Sequence, residues 1–265
     1  MTHPPEPLSA PRVPGCFEVR EGGPSGGREQ AQTPYGRTET YENPPGVGRA
    51  MTTIAELDRS VRRHHLLKHP FYAAWSNGTL PLATLREYAA QYYHFEVNFP
   101  RYVAGAYAQI ERPQDRRVLL DNLVDEEGRS PTHPELWADF ARALGVNVKD
   151  ASPSAATRRL LRVYERHALR GTAPSALGAL YAYESQFPEV AREKSRGLRE
   201  NYGIRAKSAH EFFRVHTFAD VEHSAAERRL LARYLRGDPR AGAAAAGSVR
   251  DALQGWWAFL DSFAR

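Results

Sequence analysis

Apolar residues recur at three- to four-residue spacing along most of the chain, which is the period of an amphipathic α-helix. The first such stripe is Ile54, Leu57 and Val61. A second stripe is strongly aromatic and consists of Leu85, Tyr88, Tyr92, Phe95 and Phe99. No stretch shows the sustained alternation of apolar and polar residues that marks a half-buried strand. We therefore predict an all-α fold.

Glycine and proline residues divide the region after residue 50 into seven or eight helical segments. The segments predicted from the pattern are 54–75, 82–110, 115–127, 134–144, 153–169, 173–202, 206–236 and 239–263. Pro100 lies inside the second segment, where we expect it to kink the helix or to end its regular part. Because the connections are short, we predict a helical bundle. One domain from 51 to 265 is the simplest division.

Residues 1–50 differ from the rest of the chain in composition. They are rich in Pro, Gly, Glu, Thr and Arg and almost free of Ile, Leu and Val. Such a segment cannot bury enough apolar surface to offset the entropy lost on ordering, so we predict a disordered tail. Met51 follows directly and is a candidate for the true start of the protein. A regulatory or targeting arm is the alternative.

Composition and charge narrow the classes of function. The 265 residues are 42% hydrophobic, enough for a sizeable core, and no run of about 18 apolar residues predicts a membrane span. The net charge of +5 is spread over arginines mixed with acidic residues, so we expect no nucleic-acid partner. The N-terminus lacks the basic-then-apolar order of a secretory signal. The single Cys16 cannot form a disulfide within the chain, and we expect a cytoplasmic protein.

The segment 206–236 contains no Gly or Pro and carries His216, Asp220 and His223. On a helix, positions i, i+4 and i+7 lie within about 60° of one another, so these side chains share one face. Two imidazoles and a carboxylate on one face can bind a first-row transition metal. Taken alone, the pattern fits a solvated helix face with ordinary histidines better. The metal hypothesis therefore requires further ligands.

Two other parts of the chain offer such ligands. Glu126 and His133 flank a short interruption that contains Gly and Pro, so both side chains can point to a common site from the ends of two helices. An acidic helix end followed by a solvated loop is the alternative. Glu184 is the only charged residue between positions 170 and 189. A buried, unpaired carboxylate costs several kcal/mol, so Glu184 requires a metal, a base or an exposed position.

Together these positions supply three carboxylates and three histidines from separate helices. Inside a helical bundle this set matches a dinuclear iron or manganese site. Zinc fits less well, because structural zinc sites are four-coordinate and often rich in cysteine. Two neighbouring metal ions can bind O2 between them and oxidise a substrate that neither could attack alone.

Three motifs resemble those of the haem-oxygenase-like diiron oxidases, and among them the self-sacrificing p-aminobenzoate synthase group. They are the run Asp-Glu-Glu-Gly-x4-His-Pro-Glu-Leu-Trp from residue 125, Glu184 after a tyrosine, and His-x3-Asp-x2-His from residue 216. The resemblance covers about 54–263 and extends to the thiaminase and pyrroloquinoline-quinone synthase superfamily. It implies a haem-oxygenase-like bundle with six metal ligands: Glu126, His133, Glu184, His216, Asp220 and His223.

The same resemblance implies that the substrate is a tyrosine of the enzyme itself. The matching residues are Tyr72, whose side chain becomes the aromatic ring of p-aminobenzoate for folate synthesis, and Lys194, which supplies the amino group. Tyr183 is a further redox-active residue beside the metals. The implied cofactors are two metal ions, Fe/Fe or Fe/Mn, with O2 and an external reductant as co-substrates. A homodimer is also implied.

Other interpretations of these residues and of the protein stay open. Tyr72 also fits an ordinary core position, and Lys194 fits a solvated surface charge. A diiron oxygenase acting on a free small-molecule amine or acid is the main enzymatic alternative. A non-enzymatic helical adaptor is the second. Thiaminase-type relatives use a cysteine nucleophile, which the predicted folded region lacks, and pyrroloquinoline-quinone synthases need no metal.

Overall fold

The computed structural model describes residues 52–263. The predicted disordered tail and the proposed start at Met51 lie outside the described residues. Within them the secondary structure is helical and no strand is present, which confirms the all-α prediction. No helix of this part of the chain combines the length and the apolar character that crossing a bilayer requires.

Eleven α-helices make up the described region. They are α1 (Ile54–Arg63), α2 (Pro70–Ser76), α3 (Leu82–Glu96), α4 (Phe99–Gln109), α5 (Pro113–Glu127), α6 (His133–Ala143), α7 (Ala155–Tyr164), α8 (Ala173–Glu184), α9 (Phe187–Glu200), α10 (Glu211–Tyr234) and α11 (Pro239–Asp261). A π-helical turn, Glu165–Leu169, continues α7. Short 3₁₀ turns occur at Leu66–Lys68, Val148–Asp150 and Lys207–Ala209.

Each of the eight predicted segments is helical, but three of them are divided in two. Segment 54–75 forms α1 and α2, segment 82–110 forms α3 and α4, and segment 173–202 forms α8 and α9. The last two divisions fall just before Pro100 and Pro188, each of which lies in the first turn of the following helix. Proline has no N–H to donate, and the first turn of a helix is where that loss is tolerated.

Helix α8 lies at the centre of the bundle, since all twelve of its residues are buried. Its small residues let α11 approach closely. A Cβ added to Gly178 would lie 2.3 Å from Ser248 Oγ and 2.8 Å from the Ala245 carbonyl oxygen. Glu184 is the last residue of this buried helix, so the fold brings a carboxylate into the protein interior.

A capping box begins α6 and positions its first residue. The Thr132 hydroxyl accepts a hydrogen bond from the Glu135 N–H, and the Glu135 carboxylate accepts one from the Thr132 N–H. Trp137, one turn later, donates its indole N–H to the Ala89 carbonyl of α3 over 2.8 Å. The start of α6, and with it His133, is therefore fixed against the bundle.

Candidate metal centre

Four helices bring the six predicted ligands into one buried cluster. Glu126 lies in the last turn of α5 and His133 opens α6, and His133 Nδ1 lies 2.9 Å from Glu126 Oε2. Glu184 enters from α8. The side chains of His216, Asp220 and His223 enter from α10, and all three are buried. The predicted set His216, Asp220 and His223 therefore does not lie on a solvated helix face.

Two groups of potential ligand atoms share one carboxylate. The atoms of Glu126, His133 and His216 lie within 4.8 Å of one another, and so do those of Glu126, Glu184 and His223. Asp220 completes the cluster, with its Oδ1 3.8 Å from His223 Nδ1. A carboxylate shared by two histidine-containing groups is an arrangement that can hold a pair of metal ions.

The hydrogen bonding of these residues fits metal ligands. In the described part of the chain, four buried ligand atoms have no hydrogen-bond partner: Glu126 Oε1, Glu184 Oε2, Asp220 Oδ2 and His223 Nδ1. Buried polar atoms are almost always paired, and an unpaired buried carboxylate is strongly destabilising. Iron and manganese accept this mixture of carboxylate and imidazole donors, so the residues present fit two such ions.

The charges in the cluster strongly perturb one another. Burial, together with the neighbouring Glu184 and Glu126 carboxylates, raises the pKa of Asp220 to about 7. Burial alone would lower the pKa of His223, but the adjacent Asp220 and Glu184 carboxylates raise it to about 11. Burial and the nearby His133 lower the pKa of His216, which favours the neutral imidazole that a metal requires. Cations bound among these carboxylates would relieve their mutual repulsion.

Neighbouring residues orient the ligands. His216 Nδ1 donates to the Phe212 carbonyl over 2.8 Å, and His223 Nε2 donates to Asp125 Oδ2 over 3.2 Å. Each bond fixes the imidazole ring and leaves the other nitrogen to the cluster, as is usual for metal-binding histidines. Asn122 supports Glu184 in the same way, through a 3.1 Å bond from its amide nitrogen to Glu184 Oε1. The sequence alone assigned no supporting role to Asp125 or Asn122.

Tyr72 and Lys194 meet in a second buried space, which we call the aromatic chamber. The Lys194 side chain is buried, and its Nζ has no hydrogen-bond partner in the described region. Seven rings surround this nitrogen with centroids 4.5–6.0 Å away: Tyr72, Trp75, Tyr88, Tyr92, Trp137, Phe187 and Phe213. A solvated surface position for Lys194, one of the alternatives, is therefore wrong.

The environment of Lys194 favours its uncharged form. Burial lowers the pKa of the Lys194 amine well below its usual value, and the opposing influence of Glu96 is smaller. An uncharged amine carries the free electron pair that a nucleophile needs. The Tyr72 hydroxyl shares a 2.8 Å hydrogen bond with that of Tyr88, and burial raises the pKa of Tyr72.

Tyr183 lies between the metal ligands and the chamber. It precedes Glu184 on α8, and its hydroxyl lies 2.5 Å from that of Tyr92. The Tyr183 hydroxyl also donates to Glu96 Oε1 over 3.3 Å. Glu96 is a buried carboxylate that sequence reasoning missed, although it follows Tyr88 and Tyr92 at four-residue spacing on α3. That spacing was the signal that could have identified it.

A cleft of about 440 Å³ connects the solvent with one metal ligand. Its lining includes His133 and Leu136 of α6, together with Arg214, Val215 and Phe218 of α10. The cleft reaches the cluster at His133, and none of the seven rings of the aromatic chamber lines it.

Comparisons with known proteins agree with this architecture. A family model described as an iron-containing redox enzyme matches residues 86–257. A 4-aminobenzoate synthase of Chlamydia trachomatis serovar D is 36% identical, with 80% of this chain and 92% of the relative covered. A 4-aminobenzoate synthase of Nitrosomonas europaea is 35% identical, with 78% and 88% covered. A solved domain from Shewanella denitrificans with a heme oxygenase-like fold is 16% identical over 79% of this chain and 89% of that one, with a TM-score of 0.62. The predicted haem-oxygenase-like fold is thereby confirmed.

Proposed function

The chain belongs to the haem-oxygenase-like family of iron-containing redox enzymes, and from this membership we propose that it makes 4-aminobenzoate from its own Tyr72. It is a metal-dependent oxidoreductase, since its family is one of iron-containing redox enzymes. The proposal concerns the substrate, the amino donor and the single turnover that follows from consuming a residue of the enzyme.

One observation carries the proposal: an amine with a lowered pKa lies beside a buried tyrosine. Lys194 Nζ is 5.3 Å from the centroid of the Tyr72 ring. On a tyrosine ring the hydroxyl and Cβ are para to each other, as are the amino and carboxyl groups of 4-aminobenzoate. Tyr72 thus supplies the ring and the carbon of the carboxyl group, and Lys194 supplies the nitrogen.

The six-residue cluster would hold the two metal ions. Bound there, the ions would supply the reduction of O2 and the oxidising power for the reaction. The side chains between the cluster and Tyr72 form a continuous aromatic path. Tyr183 contacts Tyr92, the Tyr92 ring lies 5.3 Å from that of Tyr88, and the Tyr88 hydroxyl contacts that of Tyr72. These tyrosines are suited to carry oxidation from the cluster to the substrate ring.

The aromatic chamber protects the reaction from water. The side chains of Tyr72, Tyr88 and Tyr92 are no more than 2% exposed, and Lys194 is 1% exposed. A reactive ring fragment formed there meets the Lys194 amine before it meets solvent. Holding the two reactants within one enclosed space replaces an encounter in solution by a local one.

The wider setting is part of the same proposal. The reaction needs an external reductant and provides 4-aminobenzoate for folate synthesis, and we place it in the cytoplasm in a homodimer. The metal pair is Fe/Fe or Fe/Mn. Metal analysis and a product assay after growth with iron alone, manganese alone and both together distinguish the two pairs. Only the Fe/Mn pair requires both metals for full product formation.

The experiment is a comparison of Tyr72→Phe with wild type. Wild type, supplied with metals, O2 and reductant, is expected to form at most one 4-aminobenzoate per chain, and peptide mapping should show a modified residue 72. Tyr72→Phe should bind metals normally and form no product. Tyr93→Phe is the matched control. Tyr93 lies on the same helix as Tyr88, but it is only partly buried and is not one of the rings of the aromatic chamber. Normal product formation by Tyr72→Phe would exclude the proposed substrate.

One observation favours a second candidate, an oxidase acting on a free small-molecule amine or acid. The cleft at His133 is open to solvent and presents Arg129 and Arg214 near its apolar wall. Multiple turnovers with such a molecule, unaffected by Tyr72→Phe, would support this function instead.

A further inference from the structure

Helix α3 presents three buried side chains in a row toward the interior. Tyr88, Tyr92 and Glu96 follow one another at four-residue spacing and therefore lie on one helix face. Glu96 is 1% exposed. The row ends at Tyr183, whose hydroxyl is 2.5 Å from that of Tyr92 and donates to Glu96 Oε1 over 3.3 Å. A carboxylate is thus in contact with the tyrosine that directly precedes the metal ligand Glu184.

Oxidation of a phenol at this position requires a proton acceptor. A phenol that loses an electron becomes strongly acidic, and leaving its proton in place creates a cation in apolar surroundings, which is costly. The Tyr183 ring stacks on Trp256 with centroids 5.2 Å apart and packs against Phe95 and Phe187. Since its side chain is 2% exposed, water does not take the proton directly.

We propose that Glu96 is the proton acceptor for Tyr183 during its oxidation. The inference rests on the proposed function, because it assumes that Tyr183 carries oxidation toward Tyr72. The step is balanced: the O–H bond of Tyr183 breaks, its proton forms a new O–H bond on Glu96, and one electron goes to O2, the oxidant that the proposed function names. Tyr183 is left as a neutral phenoxyl radical, and Glu96 as a neutral carboxylic acid.

The surroundings of Tyr183 leave this role to Glu96. In the described region its hydroxyl has two polar neighbours, the Tyr92 hydroxyl and the Glu96 carboxylate. Tyr92 is a poor acceptor, because a neutral phenol is a weak base. The hydrogen bond from Tyr183 to Glu96 already points along the path that the proton takes, so the transfer needs only a shortening of this 3.3 Å contact.

The electrostatic setting of Glu96 suits a reversible proton acceptor. Burial, with the nearby Glu126 and Asp220 charges, raises the pKa of Glu96 to about 8, although His133 and Lys194 oppose the shift. The ionised form of Glu96 is the one that accepts a proton, and cations bound at the neighbouring cluster would favour that form. The groups facing Glu96 come from four other helices: Glu126 on α5, His133 on α6, Lys194 on α9 and Asp220 on α10.

The test replaces Glu96 by glutamine, which keeps the shape and the hydrogen bonding but does not take up a proton. Metal-loaded protein is mixed with O2, freeze-quenched and examined by electron paramagnetic resonance for the Tyr183 radical. Tyr183→Phe identifies the signal. Glu96→Gln is expected to bind as much metal as wild type and to melt at the same temperature. Its radical yield and its rate of product formation should fall by about 100-fold or more.

Two further variants separate proton transfer from a structural role. Glu96→Asp keeps a carboxylate and should restore part of the radical yield. The double variant of Glu96→Gln with Tyr183→Phe should form product no more slowly than Tyr183→Phe alone, because both changes interrupt one step.

Several results would overturn the inference: a normal radical yield in Glu96→Gln, loss of metal in that variant, additive effects in the double variant, or no Tyr183 radical in wild type. The proposed function is judged separately by whether wild type makes 4-aminobenzoate. Product from wild type together with normal kinetics in Glu96→Gln would remove only the role of Glu96.

Discussion

Replacing Lys194 by methionine is expected to make the protein more stable while abolishing product formation. Lys194 is 1% exposed, and its amine has no hydrogen-bond partner in the part of the chain described. Methionine is also unbranched, fills similar space and contacts aromatic rings favourably, without a polar group that must lose water. The aromatic chamber should therefore accept it without rearrangement.

The magnitude follows from the environment of the amine. Burying a polar group without a hydrogen bond costs about 1–3 kcal/mol by protein mutational data. We expect Lys194→Met to raise the free energy of unfolding by about this amount above roughly pH 10.4, where the amine is uncharged in the folded and the unfolded chain, and by more at neutral pH. For a domain of this size, each kcal/mol changes the melting temperature by about 2–4 °C, so the rise at that high pH should be roughly 2–12 °C and larger at neutral pH.

The gain should also depend on pH in a defined direction. Burial holds the pKa of Lys194 in the folded protein well below its usual value, and the unfolded chain has the ordinary value of about 10.4. Between these two pKa values the unfolded chain binds a proton that the folded protein does not. The stability of wild type relative to Lys194→Met should therefore rise by about 1.4 kcal/mol per pH unit in this window. The advantage of the variant is full at low pH and shrinks as the pH approaches 10.4.

Urea denaturation at several pH values, with a product assay alongside, measures both effects. Lys149→Met is the matched control, because Lys149 is exposed and its replacement should change neither stability nor product formation. A Lys194→Met protein that is less stable than wild type at neutral pH would refute the reasoning. So would a stability difference that is independent of pH, since the amine would then be charged and paired in the folded state.

The remaining predictions concern the metal pair and the helix packing. Glu126 belongs to both ligand groups and His133 to one. Glu126→Ala should therefore lose both metal ions, whereas His133→Ala should keep about one. Elemental analysis measures the number of metal ions per chain. Equal losses would contradict the shared carboxylate. Gly178→Ala should destabilise the protein by about 1–3 kcal/mol, because the new Cβ would meet Ser248 and Ala245. Gly247→Ala on α11, where the new Cβ would meet only the Arg250 side chain at an ordinary 3.8 Å, should instead stabilise it by about 0.5–1 kcal/mol. Thermal melting compares the two variants.

The helical period was sufficient to predict the fold class, because each segment buries one apolar stripe and such stripes recur at helical spacing. The pattern did not show where long segments break. In segment 173–202 apolar residues lie on both sides of Pro188, Phe187 before it and Val190 and Ala191 after it, so the apolar pattern continues where the helix does not. The break follows from the backbone chemistry of proline. It places Glu184 and Lys194 on two different helices, α8 and α9.

The ligands were predictable where local spacing determines geometry. His216, Asp220 and His223 share a helix, so their common face follows from the helical period. Their metal-binding role is a prediction that the placement supports. The aromatic chamber was not predictable, because its walls come from five helices far apart in sequence, and a lysine ten residues after Glu184 could equally have faced solvent.

Lys194 and Glu96 share a physical property that hydrophobic patterning does not detect: each is an ionisable group buried where an apolar side chain would be more stable. The pKa of the amine is lowered and that of the carboxyl group is raised, because burial disfavours the charged form of each. Stability alone would favour methionine and glutamine at these two positions. The presence of both ionisable groups around one set of tyrosines is therefore best understood through the chemistry of those tyrosines.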